Sequence, residues 1–423
     1  MRYLISGYYG EKNAGDEAIL SGILQEIGRR DADAQFTVLS FDPDDTLRRH
    51  ASGRRLDAIS TSLRSPGVLR TAMKRADLLI SGGGSFLHEA DFELHGTSFL
   101  FRQGKLRPIP YFLSIVGMAR GRGLPVMWYA QGLGPLHTTT ARRLVARAAS
   151  ASQAVTWRDP ESARLAYEIG VRAPVQIVVP DPAYALVPAS KAEAQAELRR
   201  YGLGPGQPYL AVCPRPWLGR EGYLRALGEA LEQAAAEYDL PVLLVPFHEL
   251  HDPAVCEQVA ARPGLAGRAR VMASVASPPL LAAILGGAQL VVAMRLHACI
   301  LAARAGAPAV ILDYDPKTRA FAEQTRQSRW AVSVDDLEAS EATPAARAAL
   351  PAGVTLPGGG PSGAAGPLLA AIRDTLQNLP ARRAALARAV APLRAEAGRT
   401  AGLAVQLAAS HGGLQRPYRP PEG

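Results

Sequence analysis

Regular alternation of short apolar runs with amphipathic stretches constrains this chain more than any other feature. It opens with RYLISGYY, an apolar run rich in β-branched and aromatic residues; a glycine-rich bend, GEKNAGD, follows, and then EAILSGILQEIG with apolar residues at helical spacing. The pattern returns as the strands QFTVLSF, ADLLISGGG and PVMWYAQGLG, interleaved with the helices PYFLSIVGMARGRG and TARRLVARAASAS. Strand and helix in strict alternation imply right-handed βαβ units and a parallel sheet covered by helices on both faces. Three prolines (Pro180, Pro182, Pro188) interrupt the rhythm, and a second series follows, including YLAVCPRPW, PVLLVPFHE, QLVVAMRLHACILAARAG and PAVILDYDPKTRAFAEQT. The expected organisation is therefore α/β, two Rossmann-like parallel-sheet domains facing a cleft. Residues 1–185 form the first domain and 186–375 the second, and 376–423 supply closing helices and a disordered tail. Within the second domain, residues 338–366 turn to Ala, Pro, Gly and Ser and read as a mobile insertion.

Charge and cysteine usage narrow the function classes. Lys and Arg number 47 against 38 Asp and Glu, a net charge of +9, which favours anionic partners: phosphorylated small molecules, nucleic acid or an acidic lipid surface. The basic residues are scattered, with no Lys/Arg block and no interleaved aromatics, so a nucleic-acid partner is not expected. Lysine is scarce (Lys12, Lys74, Lys105, Lys191, Lys317), which lends each one slight weight. Cys213, Cys256 and Cys299 cannot make a disulfide framework and form no C-x-x-C pair, so a reducing, cytoplasmic location is expected. The opening residues lack a secretory leader. The uncharged run Ser277–Met294 contains Gly-Gly and Gln289 and leads into Arg295, so it reads as helix plus strand rather than as a membrane span.

Ligands of open parallel sheets sit beyond the carboxyl ends of the strands, which directs attention to strand-to-helix loops. Gly10–Glu17 is one: glycines allow close backbone approach and the following helix offers unpaired N–H groups, although Asp16 and Glu17 there would repel phosphate. The alternative is that Asn13 or Asp16 only caps the helix. Gly82, Gly83 and Gly84 form a second loop whose bare amides suit phosphate or carboxylate, or which simply makes a tight turn. In the third, Arg158 can fork onto an anion, or pair with Asp159 or another acid. The fourth is the strand VVAM running into Arg295 and His297, a fixed cation beside a group that titrates near neutrality. A lone His is commonly a hydrogen-bonded core residue, but burying Arg and His together without a ligand is costly. Lys317 follows PAVILDYDP at a further strand end, and Arg215, His248 and Glu249 stand at others. No metal-binding or nucleophile-elbow motif is present, so neither a metal nor another cofactor is expected.

Taken together, GYYGEKNAGDEAIL, LLISGGGSFL and AMRLHACILAARAG resemble the bacterial polysaccharide pyruvyl transferase family over roughly Met1 to Gln324. The resemblance implies a fold like the two-domain B-type glycosyltransferases. It also implies transfer of a pyruvyl group from phosphoenolpyruvate, as co-substrate, to a sugar of a cell-wall polysaccharide precursor as a cyclic ketal. The branch that pyruvylates N-acetylmannosamine of the polymers anchoring surface-layer proteins is the most similar. The family's phosphoenolpyruvate-binding residues fall on Arg158, Arg295, His297 and Lys317. Chemistry then suggests His297 as general acid and Asp16, oriented by Asn13, as base, with Gly83 and Gly84 at the substrate. Acceptor is expected on the first domain, donor on the second, and a lipid-linked acceptor would bring peripheral membrane contact. The alternatives are a nucleotide-sugar glycosyltransferase or epimerase of the same shape, and a non-catalytic cell-wall-polymer binding protein.

Overall fold

A computed structural model describes residues 1–61, 66–89, 101–102, 105–273, 277–341 and 365–410. The chain divides into two compact units, one of residues 1–11, 16–187 and 393–423, the other of residues 12–15 and 188–392.

The first unit is built on strands β1 (Arg2–Ser6), β2 (Gln35–Ser40), β3 (Arg55–Ser60) and β4 (Leu78–Leu87), a small antiparallel pair of β5 (Phe101–Arg102) and β6 (Lys105–Leu106), then β7 (Val126–Leu133), β8 (Ala154–Trp157) and β9 (Gln176–Val178). Seven of them form an all-parallel sheet in the order β3-β2-β1-β4-β7-β8-β9. The order reverses between β1 and β4, the place where such sheets open a crevice at their carboxyl edge. Alternate side chains feed two cores: Tyr3 and Ile5 face one, Leu4 the other.

Helix Ala14–Arg30 packs on the first core because Ile19, Leu20, Ile23, Leu24 and Ile27 recur along one face. Acids in its first turn (Asp16, Glu17) and bases in its last (Arg29, Arg30) complement the helix dipole. The same core takes Ala401, Leu403, Ala404 and Leu407 from helix Leu379–Ala409, whose interior Pro392 is the last residue counted with the second unit.

The glycine triplet departs from expectation. Gly82, Gly83 and Gly84 do not end a strand and begin a loop; they lie inside β4, buried, all with positive φ. A β-carbon on Gly83 would overlap Ile19 Cγ2, and one on Gly82 would come within 2.6 Å of the Tyr129 carbonyl oxygen. Close approach of helix and neighbouring strand, rather than a turn, requires glycine here.

The second unit repeats the plan with β10 (Leu210–Cys213), β11 (Val242–Leu244), β12 (Ala269–Val271), β13 (Leu290–Ala293), β14 (Ala309–Asp313) and β15 (Ala331–Ser333), all parallel in the order β12-β11-β10-β13-β14-β15. Ser277–Met294 resolves into helix Pro278–Gly287 and β13, as its glycines imply. Among the described residues no helix is long and apolar enough to cross a membrane. The expected insertion starts later than composition suggests: residues 338–341 complete helix Val334–Glu341, and Glu338 accepts from Tyr223 N at 2.9 Å. Residues 365 and 366 begin helix Gly366–Gln377, while 342–364 and the tail from 411 lie outside the described residues.

Candidate active site

In the second unit, β13 runs through Met294 to Arg295, which caps helix Leu296–Ala305 with extended backbone. Burying a guanidinium at a strand end demands a counter-charge. Asp252 supplies it: Arg295 Nε donates to Asp252 Oδ2 at 3.1 Å and Nη2 donates to Oδ1, a two-bonded fork. Asp252 is fully buried, and its Oδ2 also accepts from Phe247 N at 3.0 Å and His248 N at 2.9 Å. The expectation that Arg295 needs a ligand to offset its burial is therefore corrected. A carboxylate already fixes one edge of the guanidinium, and Nη1 lies outside that fork.

His297 stands in the first turn of the same helix. A β-carbon on Gly15 would lie 2.8 Å from His297 Cγ and overlap Nδ1, so the imidazole rests on the glycine backbone. The segment Lys12–Gly15 is held there by its main chain: Ala14 N donates to Phe247 O at 2.8 Å, Glu249 N to Lys12 O at 3.0 Å, and Asn13 pairs with His248 in an antiparallel bridge. Lys12 takes a left-handed φ of 60°, and Asn13 Oδ1 accepts from Gly15 N at 3.0 Å. Asn13 thus performs the capping role that was its plainer alternative.

Around this segment the charges are strongly tuned. His248 is pushed down to about 4 by burial, then by its neighbour His251 and by Arg295, and its Nδ1 accepts from Leu250 N at 3.3 Å. Neutral imidazole is what that bond requires. Arg215, just beyond β10, donates to the Tyr314 hydroxyl at 2.7 Å and lies 5.1 Å from the Trp217 ring centroid and 5.0 Å from that of Tyr314. Lys317 enters helix Pro316–Gln324 after β14, where its backbone N–H is capped by Asp315 Oδ1 at 2.8 Å. Beside it Asp313 accepts from the Thr318 hydroxyl at 2.8 Å and from Arg319 Nε at 3.0 Å. The three cysteines are buried, and burial raises their thiols, Cys299 to about 12, which removes them as nucleophiles near neutral pH.

In the first unit, a β-carbon on Gly84 would lie 3.3 Å from Asp16 Oδ1, so Asp16 sits over the glycine strand. Tyr9, fully buried, donates to Gly82 O at 2.6 Å, and burial followed by the negative charge of Asp16 raises its hydroxyl well above the ordinary value. Glu17 does not face a ligand as an anion repelling phosphate: it is fully buried, with Oε1 accepting from Gly10 N at 2.8 Å and Oε2 2.7 Å from His50 Nε2. Arg158 is buried at the end of β8, where it donates to Ser85 Oγ and to Asp181 Oδ2 at 3.4 Å, with Asp159 Oδ2 at 3.8 Å.

Of the residues singled out in the sequence, Asn13, Arg295, His297 and Lys317 fall in the second unit, and Asp16, Gly83, Gly84 and Arg158 in the first. Asp252, Asp181 and His50 were missed. Asp252 and Asp181 each carried a local signal, an Asp-Pro pair that starts a helical turn, and His50 carried none.

The sequence profile of the family described as polysaccharide pyruvyl transferase matches residues 13–316. Among curated proteins none matches the chain. Several solved structures share its architecture. Anabaena HepE in complex with UDP and glucose is 14% identical over 97% of this chain and 100% of its own, with a TM-score of 0.57. The UDP-GlcNAc 2-epimerase of Neisseria meningitidis bound to UDP-GlcNAc is 12% identical over 97% and 100%, with a TM-score of 0.56. A UGT transferase of Siraitia grosvenorii in complex with UDP is 12% identical over 96% and 99%, with a TM-score of 0.54. At such identities the likeness establishes the fold, that of B-type glycosyltransferases and sugar-nucleotide epimerases. With the profile spanning the strand ends that carry Asn13, Arg158, Arg295 and His297, the chain belongs to the polysaccharide pyruvyl transferase family and is a transferase of pyruvyl groups to polysaccharide.

Proposed function

We propose that this protein transfers the pyruvyl group of phosphoenolpyruvate to a sugar of a cell-wall polysaccharide precursor, with N-acetylmannosamine as the acceptor. Two acceptor hydroxyls become bonded to C2 as a cyclic ketal, the methylene carbon becomes methyl, and phosphate leaves. One hydroxyl proton replaces the proton delivered to the methylene carbon and the other departs with phosphate, so the reaction balances without an oxidant or reductant.

The observation that carries this reading is the start of helix Leu296–Ala305. There Arg295, a guanidinium fixed by buried Asp252, stands two residues from His297, an imidazole seated on Gly15. Phosphoenolpyruvate is a small polyanion, and a pre-oriented cation next to a proton donor is what its protonation and phosphate departure need. His297 acts as general acid on the methylene carbon. Arg295 and Lys317 receive the anionic groups of the donor on the second unit, with Arg158 as a further anion-binding residue on the first. Asp16 serves as base for the acceptor hydroxyl, and Asn13 orients the segment that precedes it. Gly83 and Gly84 contribute by letting the helix that bears Asp16 pack close. We place the reaction in the cytoplasm, consistent with three unpaired cysteines, and a lipid-linked acceptor would draw the basic protein to the membrane surface.

The test is phosphate release from phosphoenolpyruvate with and without a synthetic N-acetylmannosamine acceptor. Release should require acceptor and be lost in His297→Ala with donor affinity largely kept. Tight UDP binding with no turnover of phosphoenolpyruvate would instead favour a nucleotide-sugar enzyme, the class suggested by the UDP-bound proteins of the same fold. Acceptor binding unaltered by His297→Ala, with no turnover in either protein, would identify a binding protein.

A further inference from the structure

The first unit carries a cavity of about 660 Å³ at the amino-terminal edge of its sheet, opposite the strand ends discussed above. Its cations are Arg29, Arg54 and Arg55, while Leu24 and Phe36 lie beneath it in the core, Phe36 stacked on Tyr3. Arg54 is the telling residue. Its Nη1 donates to two main-chain oxygens, His50 O at 3.0 Å and Ser52 O at 3.4 Å, and among the described residues no carboxylate pairs with it. Burial alone shifts its pKa, downward, because it disfavours the charged form. A half-buried guanidinium without a counter-charge is unfavourable, and an anion in the cavity offsets that. The other two arginines are already paired: Arg55 meets Asp33 at 3.2 Å with both side chains mostly in solvent, and Arg29 shares the buried Glu26 with Arg30. Asp31, the carboxylate in the lining, is occupied by the Tyr3 hydroxyl at 3.1 Å and the Met1 amino group at 2.9 Å.

Gly28 lines the same space. It stands inside helix Ala14–Arg30, where glycine is disfavoured relative to alanine, yet a β-carbon there would meet nothing within 4 Å. Packing within the protein does not call for it, and a long side chain there would enter the cavity. A space of this size suits a ligand of one to three sugar rings, and guanidinium groups around it suit one carrying an oxyanion.

We propose that this cavity is a second ligand site that binds an acidic saccharide, the guanidinium of Arg54 taking its phosphate or carboxylate. The site is separate from the residues assigned to pyruvyl transfer and does not depend on that assignment.

Calorimetric titration of the full-length protein with glucose 1-phosphate, glucuronate, glucose and inorganic phosphate tests it. At least one of the two acidic sugars should bind ten-fold or more tightly than both glucose and inorganic phosphate; which one is preferred tells phosphate from carboxylate. Arg54→Gln should weaken binding at least ten-fold, and so should Gly28→Glu, which improves helix propensity while filling the cavity with a like charge. His297→Ala should leave this affinity unchanged. Equal binding by Arg54→Gln and Gly28→Glu, equal binding of glucose, equal binding of inorganic phosphate, or loss in His297→Ala would each overturn the proposal. Phosphate release from phosphoenolpyruvate, measured on the same preparations, reports separately on pyruvyl transfer.

Discussion

The imidazole of His297 lies directly on the backbone of Gly15, with 2.8 Å between its Cγ and the point a β-carbon on that glycine would occupy. A glycine between Asn13 and Asp16 is thereby a positioning residue for a side chain nearly three hundred residues away in sequence.

Gly15→Ala should therefore displace the imidazole by a fraction of an ångström to an ångström. Misplacement on that scale costs about 100-fold in rate, so phosphate release should fall by roughly that factor, with about 1–3 kcal/mol of stability lost to the overlap. In the double variant with His297→Ala the two losses should not multiply. A simple product of the two effects in steady-state kinetics would mean that Gly15 acts through something other than His297.

Asp252→Ala removes the fork on Arg295 and the acceptor for Phe247 N and His248 N. Breaking a buried pair from one side costs about 3–5 kcal/mol, and urea denaturation should show a loss in that range. Because the freed guanidinium loses its orientation, the KM for phosphoenolpyruvate should rise as well. Unchanged stability would show that the pair is solvated in solution.

Gly83→Ala places a methyl group into Ile19 Cγ2 at a φ of 79°. Overpacking and a left-handed conformation each cost about 1–3 kcal/mol, so the loss should be at least about 2 kcal/mol. Activity per folded molecule should be reduced only modestly if these glycines seat the helix bearing Asp16 rather than touch substrate. A folded Gly83→Ala protein devoid of turnover would reinstate them as ligand contacts.

The depressed value of His248 gives a pH dependence with a definite sign. Unfolded histidine takes up its proton near 6.5, whereas in the folded protein His248 stays neutral down to about 4. Between those values the unfolded chain binds the extra proton, so stability falls as pH drops from 6.5 toward 4 and is insensitive to this group above 6.5. Urea midpoints across that window should decline less steeply in His248→Gln than in the parent. Parallel slopes would place the imidazole in water.

Much of the architecture is legible in the sequence because parallel βαβ units write themselves as local periodicity. Ser277–Met294 resolves from composition alone into helix and strand, and Arg295 and His297 fall at a strand end as the pattern demands. What escapes is pairing between distant segments. Arg295 and Asp252 are 43 residues apart and Glu17 and His50 are 33 apart, and no local pattern joins either pair. The glycine triplet misleads for a different reason: in a sequence glycine signals a turn, and only the approach of Ile19 and Tyr129 reveals that close packing demands it inside β4. Arg158 follows its plainer alternative, an ion pair, though with Asp181 closer than the adjacent Asp159.

Ala401, Leu403 and Leu407 complete the core against which β1 and helix Ala14–Arg30 pack, yet they are translated after the whole of the second unit. On the ribosome, the amino-terminal half must wait with an uncovered apolar face while its successor is made and folds. Nascent chains halted before Leu393 should accordingly be the form that chaperones retain.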